Sequence, residues 1–144
     1  MLVHNILKSK SDDAIVTVAP GTLMSDAAKI LAEKRIGAVV ISPDGKTATG
    51  ILSERDIVRE IGKQGSICLD AKVDVYMTSK LVSCLRSDRA DAVLAKMTEG
   101  RFRHMPVIED GVMIGLITLG DVVKARLSEL SMEKDALQGM IMGH

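Results

Sequence analysis

The chain has 144 residues, of which 19 are basic and 19 acidic, so it presents no net field to attract nucleic acid or an anionic membrane. Aromatics make up 1%, namely Tyr76 and Phe102, too few for the stacking platform on which single-strand binders lay bases. With 47% apolar and 26% charged residues it is composed as one globular domain, long enough to bury a core without disulfides or a structural metal.

Leu2 to Lys10 reads as a leading helix. Ile15 to Val18 is a short β-branched run broken by Pro20-Gly21-Thr22, where Thr22 is placed to cap the next helix. Leu23, Ala27, Ile30 and Leu31 recur at helical spacing as one apolar face, and that helix ends near Arg35. Val39, Val40 and Ile41 form a buried strand, Ser42-Pro43-Asp44-Gly45 has turn chemistry, and Ala48 to Leu52 returns as a second strand. Ser53 caps a helix that opens with acidic residues and runs to about Ile61.

After a linker from Gly62 to Thr78 the same order returns. Leu81 to Cys84 is a strand, Asp88 an N-cap, and a helix carrying Ala92, Val93 and Met97 is closed by Gly100. Met105 to Ile108 and Val112 to Ile117 form a hairpin across Glu109-Asp110-Gly111, and a final helix starts after Thr118. That helix overshoots the unit, with Val122, Leu127, Leu130, Leu137 and Met140 along one side.

The two units are copies of one another. A shift of 66 positions superposes Val16 on Val82, Glu33 on Glu99, Arg35 on Arg101, Ile41 on Val107 and Asp44-Gly45 on Asp110-Gly111. Past the hairpin turn the shift becomes 65, placing Gly50 on Gly115, Ser53 on Thr118, Asp56 on Asp121 and Val58 on Val123. A solvated turn is where a repeat tolerates such a deletion. The expected fold is therefore mixed α/β (α+β), two β-α-β-β-α repeats related by a pseudo-twofold axis. Residues 1–78 hold the leading helix, first repeat and linker, and 79–144 hold the second repeat with its extended helix.

Each copy ends in a strand that runs through Gly into a hydroxyl residue and, three positions on, an Asp: GILSERD and GLITLGD. At a strand-to-helix junction Ser53 and Thr118 set a hydroxyl beside free helix N–H groups, and Asp56 and Asp121 lie one turn in. A carboxylate there has two acceptor oxygens, enough for the vicinal hydroxyls of a ribose. The same pattern is also a capping box, which a helix uses merely to begin.

The order β-α-β-β-α, the hairpin strand ending PVIEDG, the closing motif and the tandem arrangement resemble a pair of cystathionine-β-synthase (CBS) domains over essentially the whole chain. SERD in the first copy and RFRHMPV in the second are similar in particular to bacterial proteins made of one CBS pair. The resemblance implies a non-catalytic regulatory module that binds AMP, ADP, ATP, S-adenosylmethionine or NAD(H) in two clefts between the copies, with no catalytic cofactor. It makes Asp56 and Asp121 the ribose binders and Ser53 and Thr118 hydroxyl contacts. The first cleft would be completed by Arg55, by Lys80, Leu81, Val82 and Ser83, and by Arg103, His104, Met105 and Pro106. The second would be completed by Ala14, Ile15, Val16 and Thr17, and by Gly37, Ala38, Val39 and Val40. Arg103 and His104 stand where the family takes phosphates, but their counterparts Gly37 and Ala38 cannot, so the first cleft should favour a phosphorylated ligand. If His104 is a phosphate contact, binding should strengthen as pH falls toward about 6.5.

Two further readings compete with a sensor. A scaffold with vestigial clefts would respond to no adenosine ligand; a nucleotide-processing enzyme would need a P-loop, a metal cluster or an activated nucleophile, and none has a motif here. Cys68 and Cys84 lack C-x-x-C or histidine partners and read as buried thiols, so no metal site is expected. No run approaches the roughly 20 residues of a membrane span and residues 1–11 lack a signal peptide's apolar stretch, so the expected location is the cytoplasm. A homodimer is also expected, through Ala28, Ile57, Val58, Ile61, Leu94, Val122, Val123 and Leu127 on outer helix faces, in the disc shape the resemblance implies, with an unidentified effector protein downstream.

Overall fold

A computed structural model describes residues 1–10 and 15–141. The first copy comprises β1 (Thr17–Val18), α2 (Met24–Lys34), β2 (Ala38–Ile41), β3 (Gly50–Ser53) and α3 (Glu54–Gln64), preceded by α1 (Val3–Ser9). A 3-10 turn (Gly65–Asp70) and the short α4 (Val73–Tyr76) lead to the second copy, made of α5 (Ala90–Gly100), β4 (His104–Glu109), β5 (Val112–Thr118) and α6 (Leu119–Ile141). β1 runs parallel to β2, which pairs antiparallel with β3; β4 and β5 form the matching hairpin. Among the described residues no helix is long and apolar enough to cross a membrane.

The repeat read from the sequence is visible bond by bond. Ser42 N–H donates to the Val18 carbonyl at 2.9 Å, and 66 residues on Ile108 N–H donates to Cys84 at 3.0 Å. Glu54 N–H reaches the Gly37 carbonyl at 2.9 Å as Leu119 N–H reaches Arg103 at 2.8 Å. Both first helices end on an arginine in the left-handed region, Arg35 at φ 53° and Arg101 at φ 56°, which turns the chain sharply into the following strand.

Four local expectations are corrected. Thr22 and Asp88 are not N-caps: the N-cap positions of α2 and α5 fall one residue later, on Leu23 and Arg89, and neither makes a side-chain cap. Instead the first helical N–H groups donate to a distant backbone, Met24 to Ala71 at 2.8 Å and Ala90 to Met1 at 3.0 Å. Leu23 is consequently exposed, and Met24 takes its place in the core. Gly100 lies inside α5 rather than closing it, and the expected strand Leu81 to Cys84 contracts to a single parallel bridge between Cys84 and Val107.

Three apolar clusters hold the chain together. One unites Val18, Met24, Ala27, Leu31, Val39, Ile41, Leu52, Ile57 and Val73 within the first copy. Its counterpart in the second copy takes in Val3 and Ile6 of α1 together with Val93, Met97, Met105, Val107, Ile117 and Val122. Thus α1 packs on the second copy and α4, through Val73, on the first. Between the copies lies a smaller cluster of Ala38, Val40, Ile51 and Met113, reinforced by Met113 N–H donating to the Lys46 carbonyl at 2.8 Å. Ile57 and Val122 belong to these cores rather than to outer faces, and Ala28 and Leu94 are half-buried against them. Only Val58, Ile61, Val123 and Leu127 of the expected contact set are exposed.

Candidate functional site

Where α3 starts, the backbone and Asp56 satisfy each other. Ser53 N–H donates to Asp56 Oδ2 at 2.9 Å, Ser53 Oγ–H donates to the same oxygen at 3.0 Å, and Asp56 N–H donates back to Ser53 Oγ at 3.3 Å. This is the reciprocal capping box, so the helix-starting reading of the motif is present. Arg59, one turn on, takes the other oxygen, its Nη2 donating to Asp56 Oδ1 at 2.7 Å. The carboxylate's hydrogen bond in turn holds the Arg59 guanidinium more firmly protonated than usual.

Asp56 faces a cleft of about 510 Å³ between the copies. One wall is Gly37, Ile51 and the start of α3 with Ser53, Glu54, Arg55, Asp56 and Arg59; the other is Thr78, Lys80, Leu81 and Val82 with Gly100 to His104. Five cationic side chains, Arg55, Arg59, Lys80, Arg101 and Arg103, stand against the two carboxylates Glu54 and Asp56. A cleft with apolar strips at Ile51, Leu81, Val82 and Phe102 and a cationic excess suits a ligand with a flat apolar part and an anionic tail.

The structure thereby brings together Ser53, Arg55, Asp56, Lys80, Leu81, Val82, Arg103 and His104 of the residues expected at this cleft. Ser83, Met105 and Pro106 do not line it: Met105 and Pro106 are buried, because β4 turns their side chains into the protein, and Ser83 precedes the bridge at Cys84. Gly37 joins this cleft rather than the second. A Cβ at Gly37 would stand 3.1 Å from His104 Nε2, so a larger residue there would press the imidazole back by a few tenths of an ångström. Sequence reasoning did not place Ile51, Glu54, Arg59, Thr78, Gly100, Arg101 or Phe102 at this cleft. The one signal for Arg101 was its register with Arg35, both set by the left-handed turn that ends the preceding helix.

The second cleft does not assemble as expected. Thr118 and Asp121 reproduce the capping pattern, with Thr118 N–H donating to Asp121 Oδ2 at 2.9 Å and Asp121 N–H to Thr118 Oγ1 at 3.1 Å. The carboxylate, however, is held by Lys10, whose Nζ lies 2.9 Å from Asp121 Oδ2 and also donates to the Leu116 carbonyl at 2.9 Å. Burial alone would raise the Asp121 carboxyl, but the Thr118 N–H and Lys10 together bring it below its ordinary value. The hollow beside Asp121, about 520 Å³, is lined by Met1, Ile6, Ser9, Lys10, Lys124, Ala125 and Ser128. Among the described residues, Ile15, Val16, Thr17, Ala38, Val39, Val40 and Thr118 do not line it, since Ala38, Val39 and Val40 are buried in the clusters of the sheet. Ala14 lies outside the described residues.

His104 sits half-buried in the wall of the Asp56 cleft. Burial lowers its pKa below the ordinary histidine value and Arg103 and Lys10 push the same way, against Glu54 and Asp121. Because the folded value is the lower one, the unfolded chain binds the extra proton first. The stability of the neutral ring is therefore complete above about 6.5 and is lost as pH falls through the folded value. Thermal unfolding of ligand-free protein should accordingly show a midpoint that drops between pH 7 and 5.5, with a shallower drop in His104→Gln. Identical slopes would assign the pH dependence to another group. Any gain in phosphate binding from a charged His104 is likewise displaced to pH values below 6.5, later than the sequence alone suggested.

A family model described as "CBS domain" matches residues 9–63 and 71–128. A solved CBS-domain containing protein from Agrobacterium tumefaciens is 40% identical and superposes with a TM-score of 0.82, covering 88% of this chain and 99% of that one. The curated "CBS domain-containing protein CBSX3, mitochondrial" of Arabidopsis thaliana is 32% identical over 98% of this chain and 72% of its own length. More distant structures share the fold. A CBS domain protein from Pyrobaculum aerophilum, complexed with AMP, is 23% identical with a TM-score of 0.76, covering 92% of this chain and 99% of that one. The CBS domain pair of protein MJ0100, in complex with 5′-methylthioadenosine and S-adenosyl-L-methionine, is 22% identical with a TM-score of 0.77, covering 90% and 98%.

Proposed function

Since this chain belongs to the CBS-domain family and carries two such domains in tandem, we propose that it is a non-catalytic sensor that binds an adenosine nucleotide in the Asp56 cleft and passes the binding on as a change of shape. The observation that carries this reading is the convergence of a carboxylate from one copy and a cationic lip from the other on a single cleft. In this proposal Asp56 accepts the ribose hydroxyls, Ser53 contacts sugar or phosphate, Ile51, Leu81 and Val82 flank the adenine, and Arg103 with His104 takes the phosphate. The adenosine ligands of distant relatives support the class, and the cationic excess favours AMP, ADP, ATP or NAD(H) over the sulfonium cation of S-adenosylmethionine. A homodimer and an effector protein are part of the same proposal.

The test is a thermal-shift panel of AMP, ATP, NADH and adenosine followed by chromatography of the recovered ligand. A raised midpoint with intact ligand supports the sensor. A flat panel would instead favour a scaffold, and conversion of ATP or NADH an enzyme.

Lys10 gives a second expectation. With its ammonium on Asp121, AMP titration should saturate near one ligand per chain, and Lys10→Met should expose a second, weaker site. Calorimetry that finds the same stoichiometry in both proteins would show that Lys10 does not close that cleft.

A further inference from the structure

The internal symmetry reaches beyond the register visible in the sequence. Segments 1–10 and 71–80, which precede the two copies, superpose at a shift of 70, with Val3, Ser9 and Lys10 on Val73, Ser79 and Lys80. Val3 N–H donates to the Asp88 carbonyl at 2.9 Å as Val73 N–H donates to Thr22 at 2.8 Å, and Leu2 bridges Arg89 as Lys72 bridges Leu23. Leu7 lies against Gly115 as Met77 lies against Gly50. The same register makes Lys80 the counterpart of Lys10.

The two lysines nevertheless stand in opposite states. The Lys10 side chain is 19% exposed, and its Nζ lies 2.9 Å from Asp121 Oδ2 and 2.9 Å from the Leu116 carbonyl. Lys80 lines the Asp56 cleft from the facing wall but is exposed and, among the described residues, in no ion pair. Both acceptors of the kind Lys10 uses are already taken there. The carbonyl of Ile51, counterpart of Leu116, accepts from Thr78 N–H at 2.9 Å. On Asp56, Oδ2 accepts from Ser53 N–H and Oγ–H, and Oδ1 accepts from Arg59 at 2.7 Å. The counterpart of Arg59 is Lys124, which makes no ion pair among the described residues, so Asp121 is left to Lys10.

We propose that Arg59 is a positioning residue that keeps the Asp56 cleft open: by holding Asp56 Oδ1 it denies the carboxylate to Lys80, which otherwise closes this cleft as Lys10 closes the other. The consequence for AMP rests on the function proposed above, whereas the contest for Asp56 does not. The two cations differ in how hard they are to displace. Arg59 is 50% exposed, approaches from the same wall as Asp56, and has Glu60 Oε1 3.7 Å from its Nε to rest against once it leaves. A ribose hydroxyl can therefore displace it by a side-chain movement alone. A lysine in the Lys10 arrangement comes from the facing segment, is largely removed from water and is held at two acceptors, so its removal leaves more unpaired.

Brief acetylation of the ligand-free full chain, with each lysine followed by mass spectrometry, tests the contest. In the wild type Lys80 should react like the exposed Lys63, and Lys10 several-fold more slowly. Arg59→Ala should slow Lys80 several-fold, toward Lys10, with circular dichroism unchanged. Lys80 reacting at its wild-type rate in Arg59→Ala would overturn the proposal whatever ligand the cleft takes. Lys10 as reactive as Lys63 in the wild type would equally remove the closed state on which it stands. Calorimetry with AMP reads the consequence. Lys80→Met should weaken AMP in the wild-type background, because it takes a positive charge from the cleft, yet in Arg59→Ala, itself several-fold weaker than wild type, it should restore part of the affinity. A further loss in the double variant would make Arg59 and Lys80 independent phosphate contacts and overturn the proposal. A wild type that binds no AMP would instead remove the nucleotide reading and leave the contest to the acetylation rates.

Discussion

Asp56→Ala should weaken AMP binding by about 2–3 kcal/mol, roughly 30- to 150-fold, with the fold retained. The carboxylate has about four lone-pair positions, and in the ligand-free protein three are filled by Ser53 N–H, Ser53 Oγ–H and Arg59. A ribose diol needs two, so one hydroxyl takes the vacant position and the other displaces Arg59 from Oδ1. Arg59, half-exposed at the same wall, is then free to face the ligand's phosphate. The ligand gains charge-assisted bonds only where the ionised acceptor exists, which is why the loss exceeds that of a neutral hydrogen bond. Removing Asp56 also removes one half of the capping box, costing about 1 kcal/mol of stability, so affinity has to be measured well below the unfolding midpoint. Calorimetric titration decides it: an unchanged affinity would return Asp56 to helix capping alone.

The double change Arg103→Ala with His104→Ala should weaken AMP by on the order of 2–3 kcal/mol and adenosine hardly at all. Both residues enter the cleft from the start of β4, where Leu119 N–H on the Arg103 carbonyl fixes the backbone. Arg103 supplies a permanent charge, whereas His104 is kept neutral by burial near pH 7 and acts as a plain donor. Most of the effect is therefore expected from Arg103. Equal losses for AMP and adenosine in the same titration would mean that the pair shapes the cleft instead of binding phosphate.

The repeat made most of this architecture legible. Ser53 with Asp56 and Thr118 with Asp121 could be placed at helix starts because a hydroxyl followed three residues later by an acid solves a local problem of unpaired N–H groups. The end of α2 near Arg35 was legible from where its apolar periodicity stops, whereas the matching end of α5 at Arg101 was read one residue early, at Gly100. Thr22 and Asp88 misled because the solution there is not local. The carbonyls of these two residues accept from Val73 and Val3, and the helix starts donate to Ala71 and Met1, backbone that arrives from far along the chain. Lys10 at Asp121 was illegible on the same ground, since 111 residues separate the partners and only the docking of α1 on the second copy brings them together. The sequence led to the expectation that the clefts differ, from Gly37 and Ala38 opposite Arg103 and His104. The internal cation Lys10 on the second carboxylate left no sign in the sequence.

A crystal structure of the protein grown with AMP tests the central claim most directly. The account predicts one nucleotide per chain in the Asp56 cleft, its ribose hydroxyls on Asp56, its phosphate toward Arg103, and Lys10 still on Asp121. An AMP bound at Asp121 with the Asp56 cleft empty, or none bound at saturating concentration, would contradict it.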